Sequence, residues 1–150
     1  KGWRMFYSSF INNINFTPNK KEQFNMEQKI LIVDDEAHIR MLIEQTLEEL
    51  EDEGVEFLTA ENGEVALEII QEEKPNLVFL DVMMPKMNGM EVCRRIKKEL
   101  ALKDVYIVLL TAKGQELDRQ KGLDVGADVY MTKPFDPEVI LNKAKEVLGL

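Results

Sequence analysis

At 150 residues, 45% hydrophobic and 31% charged, the chain is sized for one globular domain with a real core, since such a domain buries roughly 70% of its unfolded surface. A formal net charge of −9 opposes a nucleic-acid surface, which is gripped chiefly by Lys and Arg; the lone cysteine, Cys93, cannot form an intramolecular disulfide, so cytoplasmic residence is the expectation. No apolar run approaches the roughly 18 residues of a membrane-spanning helix, and the N-terminus lacks a signal-peptide core.

Composition changes at Met26, which reads as a start residue. Residues 1–25 are rich in Asn and aromatics and are expected to be an N-terminal extension, disordered or a leader; residues 26–150 form the domain. Within the extension, Trp3, Phe6, Tyr7, Phe10, Ile11 and Ile14 fall on one helical face, the pattern of a docking helix, although Asn12, Asn13 and Asn15 are weak helix formers.

From residue 29 the chain reads strand then helix five times. The expected strands are Lys29–Val33, Val55–Ala60, Leu77–Leu80, Val105–Leu110 and Asp128–Met131, most of them short, apolar and β-branched, as strands covered on both faces should be. Between them lie helices at Glu36–Leu50, Gly63–Glu73, Gly89–Leu100, around Gln115–Gly122 and at Pro137–Leu148. The first carries an apolar stripe (Ile39, Leu42, Ile43, Leu47, Leu50), a candidate N-cap in Asp35 and a stop at Gly54. Such alternation implies right-handed crossovers and an α/β, doubly wound, five-stranded parallel sheet with helices on both faces.

In an open parallel sheet, ligands collect beyond the carboxyl ends of the strands. There the sequence places Asp34 and Asp35 after the first strand, Asp81 after the third, Thr111 after the fourth and Lys133 after the fifth. Each has an ordinary reading alone: Asp35 as a helix cap, Asp81 and Thr111 as turn residues, Lys133 as a solvated loop lysine. Together they form a set with chemistry. Three close carboxylates repel, and a divalent cation relieves them; oxygen-only ligands suit Mg²⁺, which keeps waters that a phosphoryl oxygen can replace. A carboxylate can itself be the nucleophile of phosphoryl transfer, and Asp81 is placed for that role. Asp34 and Asp35 would hold the metal, Lys133 would pair with phosphoryl oxygens and Thr111 would donate to them.

These residues carry a resemblance. From about Gln28 to Leu150 the chain resembles the response-regulator receiver domain of two-component signalling, which the chemotaxis protein CheY typifies. Lys29-Ile30-Leu31-Ile32-Val33-Asp34-Asp35-Glu36 looks like the first strand and acidic pair. Leu80-Asp81-Val82-Met83-Met84-Pro85, followed by Gly89, looks like the phosphorylation loop; Leu110-Thr111-Ala112 and Lys133-Pro134-Phe135 look like the last two signatures.

The resemblance implies a flavodoxin-like strand order 2-1-3-4-5, the Met83 backbone carbonyl as a further Mg²⁺ ligand, and a cis Lys133–Pro134 bond. It implies that Asp81 is phosphorylated from a histidine kinase or phosphotransfer protein, and that Thr111 and Tyr130 switch the face made by the fourth helix, fifth strand and fifth helix. That face would meet a protein target or a second copy. Met83 and Lys113 stand where the family tunes phosphate lifetime. The only chemistry implied is self-catalysed transfer and autodephosphorylation, so the chain is not expected to be an enzyme in the usual sense, and no output domain is expected after Leu150.

Three other functions fit the sequence less well. A phosphate-independent adaptor would keep the fold without needing the five site residues, all of which are present. An aspartyl phosphohydrolase needs a second acid where Met83 stands, and a dinucleotide-binding enzyme needs a Gly-rich turn that does not follow the first strand. Elsewhere His38 is expected on the surface, Cys93 as a packed thiol, and Glu48 to Glu53 as a solvated helix end.

Overall fold

Five segments pair through their backbones into a parallel sheet in the computed structural model, which describes residues 28–112 and 116–150. They are β1 (Lys29–Val33), β2 (Glu56–Ala60), β3 (Leu77–Asp81), β4 (Tyr106–Ala112) and β5 (Val129–Lys133), in the order β2-β1-β3-β4-β5 that the resemblance implied. The helices are α1 (Ala37–Thr46), α2 (Gly63–Glu73), α3 (Gly89–Arg94), α4 (Glu116–Asp124) and α5 (Pro137–Leu148). The stripe from Trp3 to Ile14, the boundary at Met26, and Lys113 lie outside the described residues. Among those residues no helix is long and apolar enough to cross a membrane.

The two-residue period of a strand sorts the core into two layers. Leu31, Val33, Val78, Leu80, Ile107 and Leu109 pack under Ala66 and Ile70 of α2 and Val92, Cys93 and Ile96 at α3. Their alternates Ile30, Ile32, Leu77, Phe79, Val108 and Leu110 pack under Ile43 of α1 and Ile140, Ala144 and Leu148 of α5. Each Val, Leu, Ile or Phe among them contributes roughly 1.5–3 kcal/mol of burial free energy, and this two-sided burial is what fixes the sheet's register. The edge strands β2 and β5 are only partly covered, which matches their more polar sequences.

Several local expectations change. The first helix is α-helical only to Thr46 and continues as a 3₁₀ segment, Glu48–Glu53. Leu47 and Leu50 stay fully buried because a three-residue spacing keeps both on the core side, while the acidic residues between them face water. Asp35 is not the N-cap of α1: Glu36 holds that position without a side-chain cap, and its N–H donates instead to Asp34 Oδ1 at 2.9 Å. The third helix gives way at Arg95 to a π turn, Arg95–Glu99, whose Lys97 ammonium reaches Asp128 across to the start of β5 at 2.9 Å. His38 is exposed, 3.2 Å from a Glu36 carboxylate oxygen, and Cys93 is buried, as expected.

Candidate functional site

Each predicted site residue sits at the carboxyl end of its strand. Asp81 and Lys133 are the last residues of β3 and β5, and Thr111 is the penultimate residue of β4. Parallel register sets Asp81 opposite Leu110 and Thr111 opposite Thr132, so Thr111 lies one step beyond Asp81 at the same end of the sheet. Thr111 is buried there. Asp34 and Asp35 follow β1, the neighbour of β3, and the topology therefore delivers all five groups to one mouth.

Asp34, Asp35 and Asp81 each present a carboxylate oxygen within 4.8 Å of the others, a cluster that could hold a metal ion. The Lys133 ammonium donates to Asp34 Oδ2 at 2.7 Å and to Asp81 Oδ1 at 3.1 Å. Asp34 is fully buried and Asp35 exposed, so one acid forms the floor of the site and the other its rim. That division follows from the corrected cap, because Asp34 holds the Glu36 N–H and leaves the Asp35 carboxylate uncommitted to the helix end. The Asp34 N–H donates to the Ala60 carbonyl at 3.2 Å, and the Asp34 carbonyl accepts from Arg40 Nη1 at 2.6 Å.

The electrostatics are those of crowded acids with too little compensating charge. Burial first, and then the Asp34 charge, push the Asp81 carboxyl from 3.8 up to about 6, although the Lys133 hydrogen bond and charge act the other way. Burial disfavours the Lys133 ammonium, but hydrogen bonds and charge from Asp34 and Asp81 outweigh it, and its pKa is raised. An all-oxygen cluster that holds one carboxyl partly protonated near neutrality suits a hard divalent cation, which supplies the missing charge.

Backbone packing fixes the floor of the mouth. The loop from Val82 to Asn88 returns so closely that the Gly89 N–H donates to the Val82 carbonyl at 2.9 Å, and the Asn88 side chain caps α3 by accepting from Glu91 N at 2.9 Å. A Cβ on Gly89 would lie 2.2 Å from the Asp81 carbonyl oxygen, and one on Gly63 would lie 2.0 Å from the Met87 carbonyl oxygen. Only hydrogen fits at either place, so the two glycines let α3 and α2 close on the loop from two sides. Met83, exposed, projects from this loop, while Met84, Met87 and Met90 pack on the core.

Tyr130 is half-buried in β5 against the α2–α3 layer of the core, and its ring lies 3.1 Å from where a Cβ on Gly122 of α4 would stand. The Lys133–Pro134 peptide is cis. Burial pushes the Cys93 thiol up to about 12, which leaves it inert at neutral pH. The sequence reading missed Arg40 and Gly63. Arg40 carries no local signal, whereas the small residue opening the second helix was visible without its partner, Met87.

A five-stranded parallel sheet of this order, with three acids and a lysine at its mouth, has the architecture of the CheY-like receiver domains, and the sequence agrees. The chain belongs to the response regulator receiver domain family, whose model matches residues 30–145. It is 44% identical over 123 residues to the alkaline phosphatase synthesis transcriptional regulatory protein PhoP of Bacillus subtilis, covering 82% of this chain and 49% of that protein. It is 47% identical over 119 residues to the phosphate regulon transcriptional regulatory protein PhoB of Pseudomonas aeruginosa, covering 79% of this chain and 51% of that protein. The chain thus spans about half the length of these curated relatives. Among solved structures, chemotaxis protein CheY4 of Vibrio cholerae superposes with a TM-score of 0.69 at 34% identity, covering 80% of this chain and 98% of that one.

Proposed function

We propose that this domain accepts a phosphoryl group on Asp81 from a phosphohistidine of a histidine kinase or phosphotransfer protein, in an Mg²⁺-dependent step, and signals the event to a protein partner. The observation that carries this is the meeting of Asp34, Asp35 and Asp81 oxygens within 4.8 Å, with the Lys133 ammonium bonded to two of them.

The residues present fit the cation. Asp34, Asp35, Asp81 and the Met83 carbonyl would hold Mg²⁺, which when bound would neutralise charge on the phosphoryl oxygens and draw the Asp81 carboxyl fully into its ionised form. The ionised Asp81 oxygen then forms the new P–O bond as the P–N bond to the donor imidazole breaks, and the imidazole nitrogen keeps the electron pair. Lys133 moves its hydrogen bonds from the acids to a phosphoryl oxygen. Thr111, one step beyond Asp81 on the adjacent strand, donates to another.

Movement of Thr111 toward the phosphate opens space for Tyr130, which lies between Gly122 of α4 and the core, and so alters the α4–β5–α5 face. That face would meet a protein target or a second copy, without direct nucleic-acid or membrane contact by this domain.

Incubation with acetyl phosphate and Mg²⁺ tests the assignment. The wild-type protein should gain the mass of one phosphoryl group, and neither Asp81→Asn nor a chelated sample should. Labelling of Asp81→Asn at the wild-type level would move the acceptor elsewhere, and no labelling of the wild type under any donor would favour a phosphate-independent adaptor.

A further inference from the structure

Arg40 is the unexplained charge beside the site. It lies in the first turn of α1, where the helix macrodipole disfavours a cation, and α1 has no acidic residue in that turn to offset it. Its guanidinium instead turns back over the helix N-terminus and donates to the Asp34 main-chain carbonyl at 2.6 Å, a short, charge-assisted bond. The other polar groups of Asp34 are also engaged: its N–H by Ala60, one carboxylate oxygen by the Glu36 N–H and the other by Lys133. Among the described residues, Arg40 is the side chain that holds the peptide plane between the buried acid and the exposed one, because the Asp34 carbonyl belongs to the peptide that leads into Asp35.

We infer that Arg40 is a positioning residue for the cation site: by clamping the Asp34–Asp35 peptide it holds the two carboxylates at the angle a divalent ion requires. The inference rests on the reading of the cluster as an Mg²⁺ site and assigns a part in it to a residue outside the acidic set. Its sign separates it from simple electrostatics. Removing a nearby positive charge should by Coulomb's law tighten the binding of any cation, whereas loosening the clamp should weaken it. The loss should also depend on the ion, since Mg²⁺ demands near-ideal octahedral geometry and Ca²⁺ tolerates irregular ligand sets.

The experiment is calorimetric titration of Mg²⁺ and Ca²⁺ into the wild-type protein, Arg40→Met and Arg40→Lys, with amide hydrogen exchange at Glu36 measured in chelator. Arg40→Met keeps the length of the side chain and loses both charge and donor. It should weaken Mg²⁺ binding about tenfold, change Ca²⁺ binding less than about threefold and speed Glu36 exchange, with partial recovery in Arg40→Lys. Mg²⁺ affinity that is unchanged or higher in a folded Arg40→Met protein overturns the inference while leaving the site reading intact. Should Arg40→Met fail to fold, Arg40→Lys decides: a compact ammonium on a shorter side chain does not copy the placement of the Nη1 bond to the Asp34 carbonyl, so Mg²⁺ affinity equal to wild type overturns the inference. A wild-type protein that takes up no Mg²⁺ sinks the site reading, and the role of Arg40 with it.

Discussion

Asp81→Asn should make the metal-free protein more stable. The folded state holds the Asp81 carboxyl at about 6, against 3.8 for the ordinary group, so it prefers that residue neutral. At pH 8 the carboxyl is ionised both folded and unfolded, and the gap opposes folding by about 3 kcal/mol at about 1.36 kcal/mol per pH unit. The folded value is the raised one, so the stabilising contribution of the neutral group is complete below 3.8 and is lost as pH climbs through 6. Asparagine copies the neutral group in shape and keeps an oxygen for Lys133. Urea denaturation in EDTA should therefore show the variant more stable by about 3 kcal/mol at pH 8, with the difference shrinking below about 1 kcal/mol by pH 4. A variant no more stable than wild type at pH 8 would refute the reasoning. Mg²⁺ should then narrow the gap, since it stabilises the protein that binds it in proportion to RT ln(1 + [L]/Kd).

Lys133→Met removes the cation shared by Asp34 and Asp81; it should destabilise the metal-free protein by about 1–3 kcal/mol at pH 8 and by less at pH 5, where Asp81 is largely protonated. Equal losses at the two pH values in urea melts would count against the shared-cation geometry. Gly89→Ala should cost about 1–3 kcal/mol in the same assay despite alanine's better helix propensity, because its Cβ would meet the Asp81 carbonyl oxygen at 2.2 Å; an unchanged or raised denaturation midpoint would show that α3 can move away freely.

The sheet and its mouth were legible because they rest on patterns that sequence expresses directly: apolar runs of strand length and a polar residue after each. Strand ends were less legible. Asp81, Thr111 and Lys133 belong to their strands, with partners in register, although the apolar runs stop at Leu80, Leu110 and Met131. Backbone pairing needs no apolar side chain, so polarity is a poor guide to where a ladder stops. The third helix shows the complementary failure: Val92, Cys93 and Ile96 fit an unbroken α-helix, yet the backbone turns to π spacing where Lys97 reaches Asp128, a contact 31 positions distant that no local pattern reveals. Arg40 is the same kind of case within the site, since only the folded backbone brings its guanidinium to the Asp34 carbonyl.

The tight seating of the Val82–Asn88 loop gives the mouth a handedness. With α3 abutting the Asp81 main-chain carbonyl at Gly89 and α2 abutting the Met87 carbonyl at Gly63, that bank is closed at the level of the backbone. On the opposite bank, where β4 ends at Thr111 and Ala112, the near neighbours of Gly122 are the side chains of Leu109 and Tyr130 and not backbone. If Asp81 is the phosphoacceptor proposed above, two hydrogen atoms in place of methyl groups would bias the response to that covalent change toward the bank lined by side chains.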